Sequence, residues 1–300
     1  MCIADRRIAY CHHNRHNNRL VAGRPSSRPV IRTARGFTLI EVILVTVLIG
    51  ILAAVSVVFI LPPFQAAGDL ERRAALVDAA DLALNRMTRE ARNALPNSVR
   101  VLNPGHVEFI TTVTAGRYRR LPAPGGGSDR FVPARSEDSF DVLGGLTDAA
   151  AVAPRGAGID CGNGGGHCLS VYNTGQPGFN AYNGENIAAI TGADGASISY
   201  DSGGSGPAFA THSPNQRFYV VDTVVSYICS DGELRRHSDY GLGASPAGTG
   251  ALLAANVENC QFTYTPGTAA RRGLLTLRLD LAQNSEAVFL LAQAQVMNTP

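Results

Sequence analysis

The sequence predicts an α+β fold: a long N-terminal helix on an antiparallel β-sheet, with a loop-rich insert. Three observations carry this. An uncharged apolar run from Val42 to Leu61 is long enough to span a bilayer as a helix. From about Asp69 to Leu95, apolar residues recur at helical spacing: Leu70, Ala74, Val77, Ala80 or Asp81, Leu84, Met87, Ala91 and Leu95. Beyond residue 100, alternating stretches bounded by turn residues read as antiparallel strands. A helix followed by strands is the order of an α+β domain.

The first element is a basic leader, 1–36, with eight Arg and one Asp. The remaining 264 residues hold 18 Arg against 23 acidic residues, a charge near −5. All 26 basic residues of the chain are Arg. A basic flank before an apolar span orients the N-terminus to the cytoplasm and the rest of the chain outward. The leader is long, and Val21 or Val30 are alternative initiators. Cys11, His12, His13 and His16 form a His-rich tract of the kind that can bind metal.

The second element, 37–61, is the spanning helix. Glu41 stands at its head, four positions after Phe37. A carboxylate on a spanning helix costs roughly 2.5–3.5 kcal/mol at the centre and less near an end, so it reads as functional. Pro62-Pro63 is expected to break the helix. An amphipathic helix then covers 69–95, supported by an Asp69–Arg73 pair and ended by Pro96.

Strands are expected at Val107–Thr111, Leu169–Tyr172, Arg217–Cys229, around Cys260, Phe262 and Tyr264, across Leu275, Leu277, Leu279 and Leu281, and at Val288–Val296. Residues 120–210 are rich in Gly, Asn, Asp, Ser and Pro and read as a loop-rich insert with short strands. The organisation is a leader, 1–36, a membrane helix, 37–61, and one exported domain, 62–300.

The exported part holds four cysteines, which allow three pairings. An oxidising compartment favours disulfides. Cys161–Cys168 would staple a glycine-rich loop, and Cys229–Cys260 would join two strands. His167 beside Cys168 leaves metal binding as the rival reading, without a CxxC pair to support it.

No catalytic motif is present. A phosphate-binding loop needs Lys, HExxH and GxSxG are missing, and Gly243-Ala244-Ser245-Pro246-Ala247 lacks the final glycine of the last. The chain is not expected to be an enzyme. The acidic exported part argues against nucleic acid. Arg117, Arg119 and Arg120 with Tyr118 read as a solvated strand end.

Gly36-Phe37-Thr38-Leu39-Ile40-Glu41, followed by the apolar run, resembles the N-terminus of type IV prepilins and of type II secretion pseudopilins. The resemblance implies cleavage of the Gly36–Phe37 bond by prepilin peptidase, N-methylation of Phe37 and an assembly role for Glu41. It implies an inner-membrane, single-pass protein with a periplasmic domain. It implies other major and minor pilin-like subunits as partners and a pilus at the cell surface as the destination. No cofactor is implied. Some pseudopilins bind calcium, and Asp160, Asn163, Asp194 and Asp201 lie in the insert, although no stretch matches the twelve-residue calcium loop.

Further segments are similar to a minor component of the mannose-sensitive haemagglutinin (MSHA) type IV pilus system. They include 73–84, Met87-Thr88-Arg89-Glu90, 94–100, Ser213-Pro214-Asn215-Gln216-Arg217-Phe218 and Gln295-Val296-Met297-Asn298-Thr299-Pro300. Pseudopilin J of type II secretion shares the layout. A reading of another class is a membrane-anchored periplasmic binding or adhesive protein that uses 120–210.

Overall fold

The computed structural model describes residues 36–122, 125, 129–152, 166–202, 207–268 and 271–300. The chain divides into two compact units between Phe59 and Ile60. The described part of the first unit is Gly36–Phe59. Its helical stretch, Leu39–Phe59, has 21 residues and a mean hydropathy of 3.0, with no part buried inside the chain. At about 1.5 Å per residue this is close to the thickness of a bilayer core.

One helix, α1, runs Leu39–Arg92. The expected break at Pro62-Pro63 is not there. Two prolines remove the donors that the Val58 and Phe59 carbonyls would have used, and a proline ring in a helix also crowds the carbonyl four residues back, but the cost is confined to one turn. The turns before and after keep theirs, and the helix continues. It stops at Arg92, three residues before the expected end, because the chain then bonds to a strand. Leu95 N–H donates to Ile110 O at 2.8 Å, and Thr112 N–H donates to Asn93 O at 2.9 Å.

Within the second unit the buried stripe of α1 is Leu76, Ala80, Ala83, Leu84, Met87 and Ala91. The later expected positions are therefore inward. Leu70, Ala74 and Val77 are exposed, so the stripe starts at Leu76.

Twelve strands follow among the described residues. Nine form one sheet: β1 (Arg100–Asn103), β2 (His106–Tyr118), β3 (Glu137–Leu143), β4 (Cys168–Ser170), β5 (Ile187–Ala193), β6 (Ser197–Asp201), β7 (Arg217–Ser230), β8 (Glu233–Tyr240) and β9 (Ala251–Ala255). Three form a second: β10 (Val257–Thr265), β11 (Gly273–Gln283) and β12 (Glu286–Val296). All their pairings are antiparallel.

The long β2–β7 ladder is a shared spine. Beside its Arg117/Arg217 end, the pairings β2–β3–β6–β5–β4–β7 close a ring of six strands. Beside its His106/Ile228 end lie β1 and the β8–β9 pair. Register shifts between Ile110 and Thr114 and between Val224 and Ser226 mark where the spine changes neighbours. Such bulges bend a strand and raise its twist.

The region 120–210 is thus more than an insert of loops. It contributes β3 to β6 and closes over an aromatic core of Tyr118, Phe131, Phe140, Tyr200 and Phe209. Phe131 lies 4.6 Å from Tyr118 and 5.2 Å from Phe209, centroid to centroid. Tilted and edge-on pairs of this kind add about 0.5–1.5 kcal/mol each beyond burial.

Of the two further cores among the described residues, one lies along the β2–β7 spine around Ile110, Val221 and Val224 and the other joins α1 to both sheets. Leu275, Leu277, Leu279 and Leu281 alternate inward along β11 against Leu84, Met87, Phe109 and Tyr227. Burying one such Leu contributes about 1.5–3 kcal/mol. Leu277→Ala would cost about 2–5 kcal/mol because it also leaves a cavity.

Candidate processing and assembly site

Thr38 lies just before the first residue of α1. Its backbone carbonyl accepts from Glu41 N–H at 3.1 Å and Val42 N–H at 3.2 Å, and its Oγ1 accepts from Glu41 N–H at 3.3 Å. This is an N-cap, and Thr-x-x-Glu is the capping-box sequence. The signal was readable at residues 38–41 but carried no part of the sequence argument. The cap fixes where the helix begins and so puts Glu41 in its first turn. There the unsatisfied N–H groups of the helix favour a carboxylate by about 0.3–1 kcal/mol.

Gly36, Phe37 and Glu41 are all exposed, Phe37 at 81%. A Cβ added at Gly36 would meet nothing within 4 Å, and the same holds at Gly50 in the middle of the span. Neither glycine is required by packing inside this chain. Among the described residues Glu41 is in no ion pair. The helix start therefore presents an accessible Gly–Phe bond just before it and, in its first turn, a carboxylate in no ion pair among the described residues.

Residues 31–57 match the family model of the prokaryotic N-terminal methylation motif. The chain carries that motif. It is the motif of the type IV pilin and pseudopilin class, and the match spans the end of the leader and most of the apolar helix. Comparison with curated proteins and with solved structures gave no match. The motif implies processing by prepilin peptidase and assembly with other pilin subunits.

In the second unit Cys229 and Cys260 form a disulfide, with Cα atoms 6.4 Å apart. It ties the end of β7 to β10 and so joins the two sheets. Cys168 is also disulfide-bonded, and Cys161 lies outside the described residues. His167 Nε2 is 3.5 Å from Asp222 Oδ1. Of the calcium candidates, Asp160 and Asn163 lie outside the described residues. Asp194 Oδ1 accepts from the N–H groups of Ala196 and Ser197, and Asp201 sits at the end of β6. Among the described residues no group of three or more His, Cys, Asp or Glu is placed to hold a metal ion. The His-rich tract of the leader lies outside the described residues.

The basic cluster at 117–120 is divided. Tyr118 is fully buried in the ring, and Arg119 Nε pairs with Asp141 Oδ2 at 3.5 Å. Arg117 and Arg120 are exposed.

Two polar networks, the first half-buried and the second buried, were not foreseen. Glu90, near the end of α1, accepts from Tyr227 Oη at 2.6 Å, Arg236 Nε at 2.9 Å and Arg86 Nε at 3.1 Å. Burial alone would raise the Glu90 carboxyl, but these hydrogen bonds and the Arg236 charge hold it below its ordinary value. Burial and the bond to Glu90 push the Tyr227 hydroxyl far up.

In the second network Glu108 accepts from Arg100 Nε at 2.6 Å, Tyr240 Oη at 2.7 Å and Ser226 Oγ at 3.1 Å. His106 Nε2 lies 2.9 Å from Ser226 Oγ. A Ser, a His and a Glu in contact resemble a hydrolytic constellation, but Ser226 is 0% exposed and Glu108 is 1% exposed. No substrate reaches this hydroxyl. The network satisfies a buried carboxylate between β1, β2, β7 and β8.

Proposed function

We propose that this chain is a pilin-like structural subunit, cut by prepilin peptidase between Gly36 and Phe37 and N-methylated on Phe37. The observation that carries the reading is the methylation motif, in register with a capped helix start. The apolar stretch Leu39–Phe59 anchors the precursor in the inner membrane, with the basic leader in the cytoplasm and the second unit in the periplasm. Assembly then draws the apolar helices of several subunits together. Glu41 pairs with the Phe37 amine of a neighbour, which neutralises an exposed carboxylate in an apolar layer. The protein acts as a structural element and not as an enzyme.

The narrower reading is a minor subunit of an MSHA-type pilus that helps to initiate or cap the filament. It is supported by the similarity of residues 73–84, 94–100, 213–218 and 295–300. The test is the intact mass of the chain recovered from membranes of a host with an active prepilin peptidase. The expected mature species starts at Phe37 and carries one added methyl group. Gly36→Val leaves the precursor uncut but folded, since a larger side chain meets nothing there. A mature N-terminus at any other residue overturns the reading.

A further inference from the structure

Several charges of the second unit that are in no ion pair among the described residues fall at opposite strand ends, while others, such as Arg235 with Glu233 and Arg119 with Asp141, are paired locally. β7 starts at Arg217 and ends just before Asp231, and β12 starts at Glu286. β10 starts at Val257-Glu258 and leads to Arg271 and Arg272, which directly precede β11. At the basic end two neighbouring grooves, of about 500 and 270 Å³, share Arg272 and Met297. The first is also lined by Arg92, the second by Arg217 and Arg271, and no carboxylate lines either. Arg117 and Arg217 stand directly opposite each other in the β2–β7 register. Like charges so placed weaken a sheet pair unless an anion relieves them. Among the described residues none of these five guanidiniums is in an ion pair.

The acidic end is the counterpart. A groove of about 370 Å³ is lined by Asp231, Glu233 and Glu258 and by no cation. Glu233 is paired with Arg235, but Asp231 and Glu258 are in no ion pair among the described residues. The 14 residues of β7 separate the two ends by about 45 Å. That is several Debye lengths, so the ends of one copy cannot neutralise each other.

We propose that the basic end of one copy of this chain seats the acidic end of a second copy, head to tail. The inference deepens the reading of the chain as an assembling subunit and rests on it. Both halves of the contact are on the chain itself, and guanidinium forks suit carboxylates. The contact is heterologous, so it leaves one basic and one acidic end free for further copies.

The test uses the full chain in membranes, as two differently tagged populations. One carries Gln295→Cys at the basic end and the other Ala287→Cys at the acidic end, and a bifunctional thiol reagent is added. The expected product links the two tags, whereas Gln295→Cys copies alone give little. Arg271→Glu with Arg272→Glu in both populations lowers the product on the order of five-fold or more. Asp231→Arg with Glu258→Arg in both does the same. The decisive arm gives the Gln295→Cys population the arginine reversals and the Ala287→Cys population the acid reversals, which restores the product.

Crosslinking that ignores charge reversal overturns the proposal. So does a product that stays low in the swapped pair while both variants keep the Cys229–Cys260 disulfide and resist protease. Uptake of a small carboxylate such as citrate at the arginine end, with no link between copies, overturns it as well. A chain cut at Gly36 that fails these arms sinks this inference alone, whereas an uncut chain sinks the subunit reading.

Discussion

Glu41 is the residue on which the assembly reading turns. It is exposed, in no ion pair among the described residues, and held in the first turn by the Thr38 cap. Glu41→Val removes a charge from the apolar layer, so insertion and cleavage at Gly36 proceed as in the parent. On the proposed charge pair, association with other pilin-like subunits is expected to be lost, because a neighbour's Phe37 amine would have no carboxylate to meet. Unpairing one side of a buried charge pair costs about 3–5 kcal/mol. Processing is read by gel shift and association by co-purification, and wild-type co-purification of the variant refutes the charge pair. The motif and the apolar helix were legible in the sequence because both are local features. Glu90 and Glu108 were not. Glu90 meets Tyr227 and Arg236, which are 137 and 146 positions away, and no short-range pattern announces such partners.

Among the elements, β11 was legible because its Leu residues alternate with Thr276, Arg278 and Asp280 against a buried face; β12 was legible as an apolar run, although Phe289 and Leu291 of that run are exposed. β5 was not, since Ile-Ala-Ala-Ile-Thr-Gly-Ala is buried along its first four residues and shows no period of two. β8 was missed for the opposite reason: Glu-Leu-Arg-Arg-His-Ser-Asp-Tyr is mostly polar and is held as a strand by pairing with β7 and β9. The proline pair misled the helix reading because a helix already committed on both sides tolerates the loss of two donors. At this scale the Cys229–Cys260 link closes 31 positions of chain and joins the sheets. The chain-entropy relation assigns it about 3–4 kcal/mol. Reduction, or Cys229→Ser with Cys260→Ser, is expected to lower the urea midpoint of the oxidised domain accordingly. An unchanged midpoint shows that the two sheets hold together without the bond.

For the whole molecule, His106 and Glu90 are two of the groups that set the response to acid; burial also holds His212 below its ordinary 6.5, with Arg120 and Arg130 acting in the same direction, and hydrogen bonds from Ser197 and Ala196 hold Asp194 below its ordinary 3.8. Burial holds His106 below its ordinary 6.5, with Arg100 and His237 acting in the same direction and Glu108 against them. The folded form binds that proton less readily than the unfolded chain, so stability falls as pH drops below 6.5. Glu90 is held below its ordinary 4.5, so its contribution is present above that value and is lost as pH falls through the depressed one. Urea midpoints should therefore decline in two stages with acid, and His106→Gln should shrink only the first, the remainder of which belongs to His212. A single decline confined to pH below 4.5, with His106→Gln indistinguishable from the parent, removes His106 from this account. The α+β class was readable from order alone, but the closure of β2 to β7 into a ring was not, because it depends on pairings between distant strands. That closure has an evolutionary consequence. A ring has no free edges, and lengthening a surface connection twofold costs only about 0.6 kcal/mol in loop entropy. The connections of the ring are therefore free to diversify while α1, β11 and β12 keep their shared core. The chain can change the face it shows to its surroundings without renegotiating the packing that holds its helix in place.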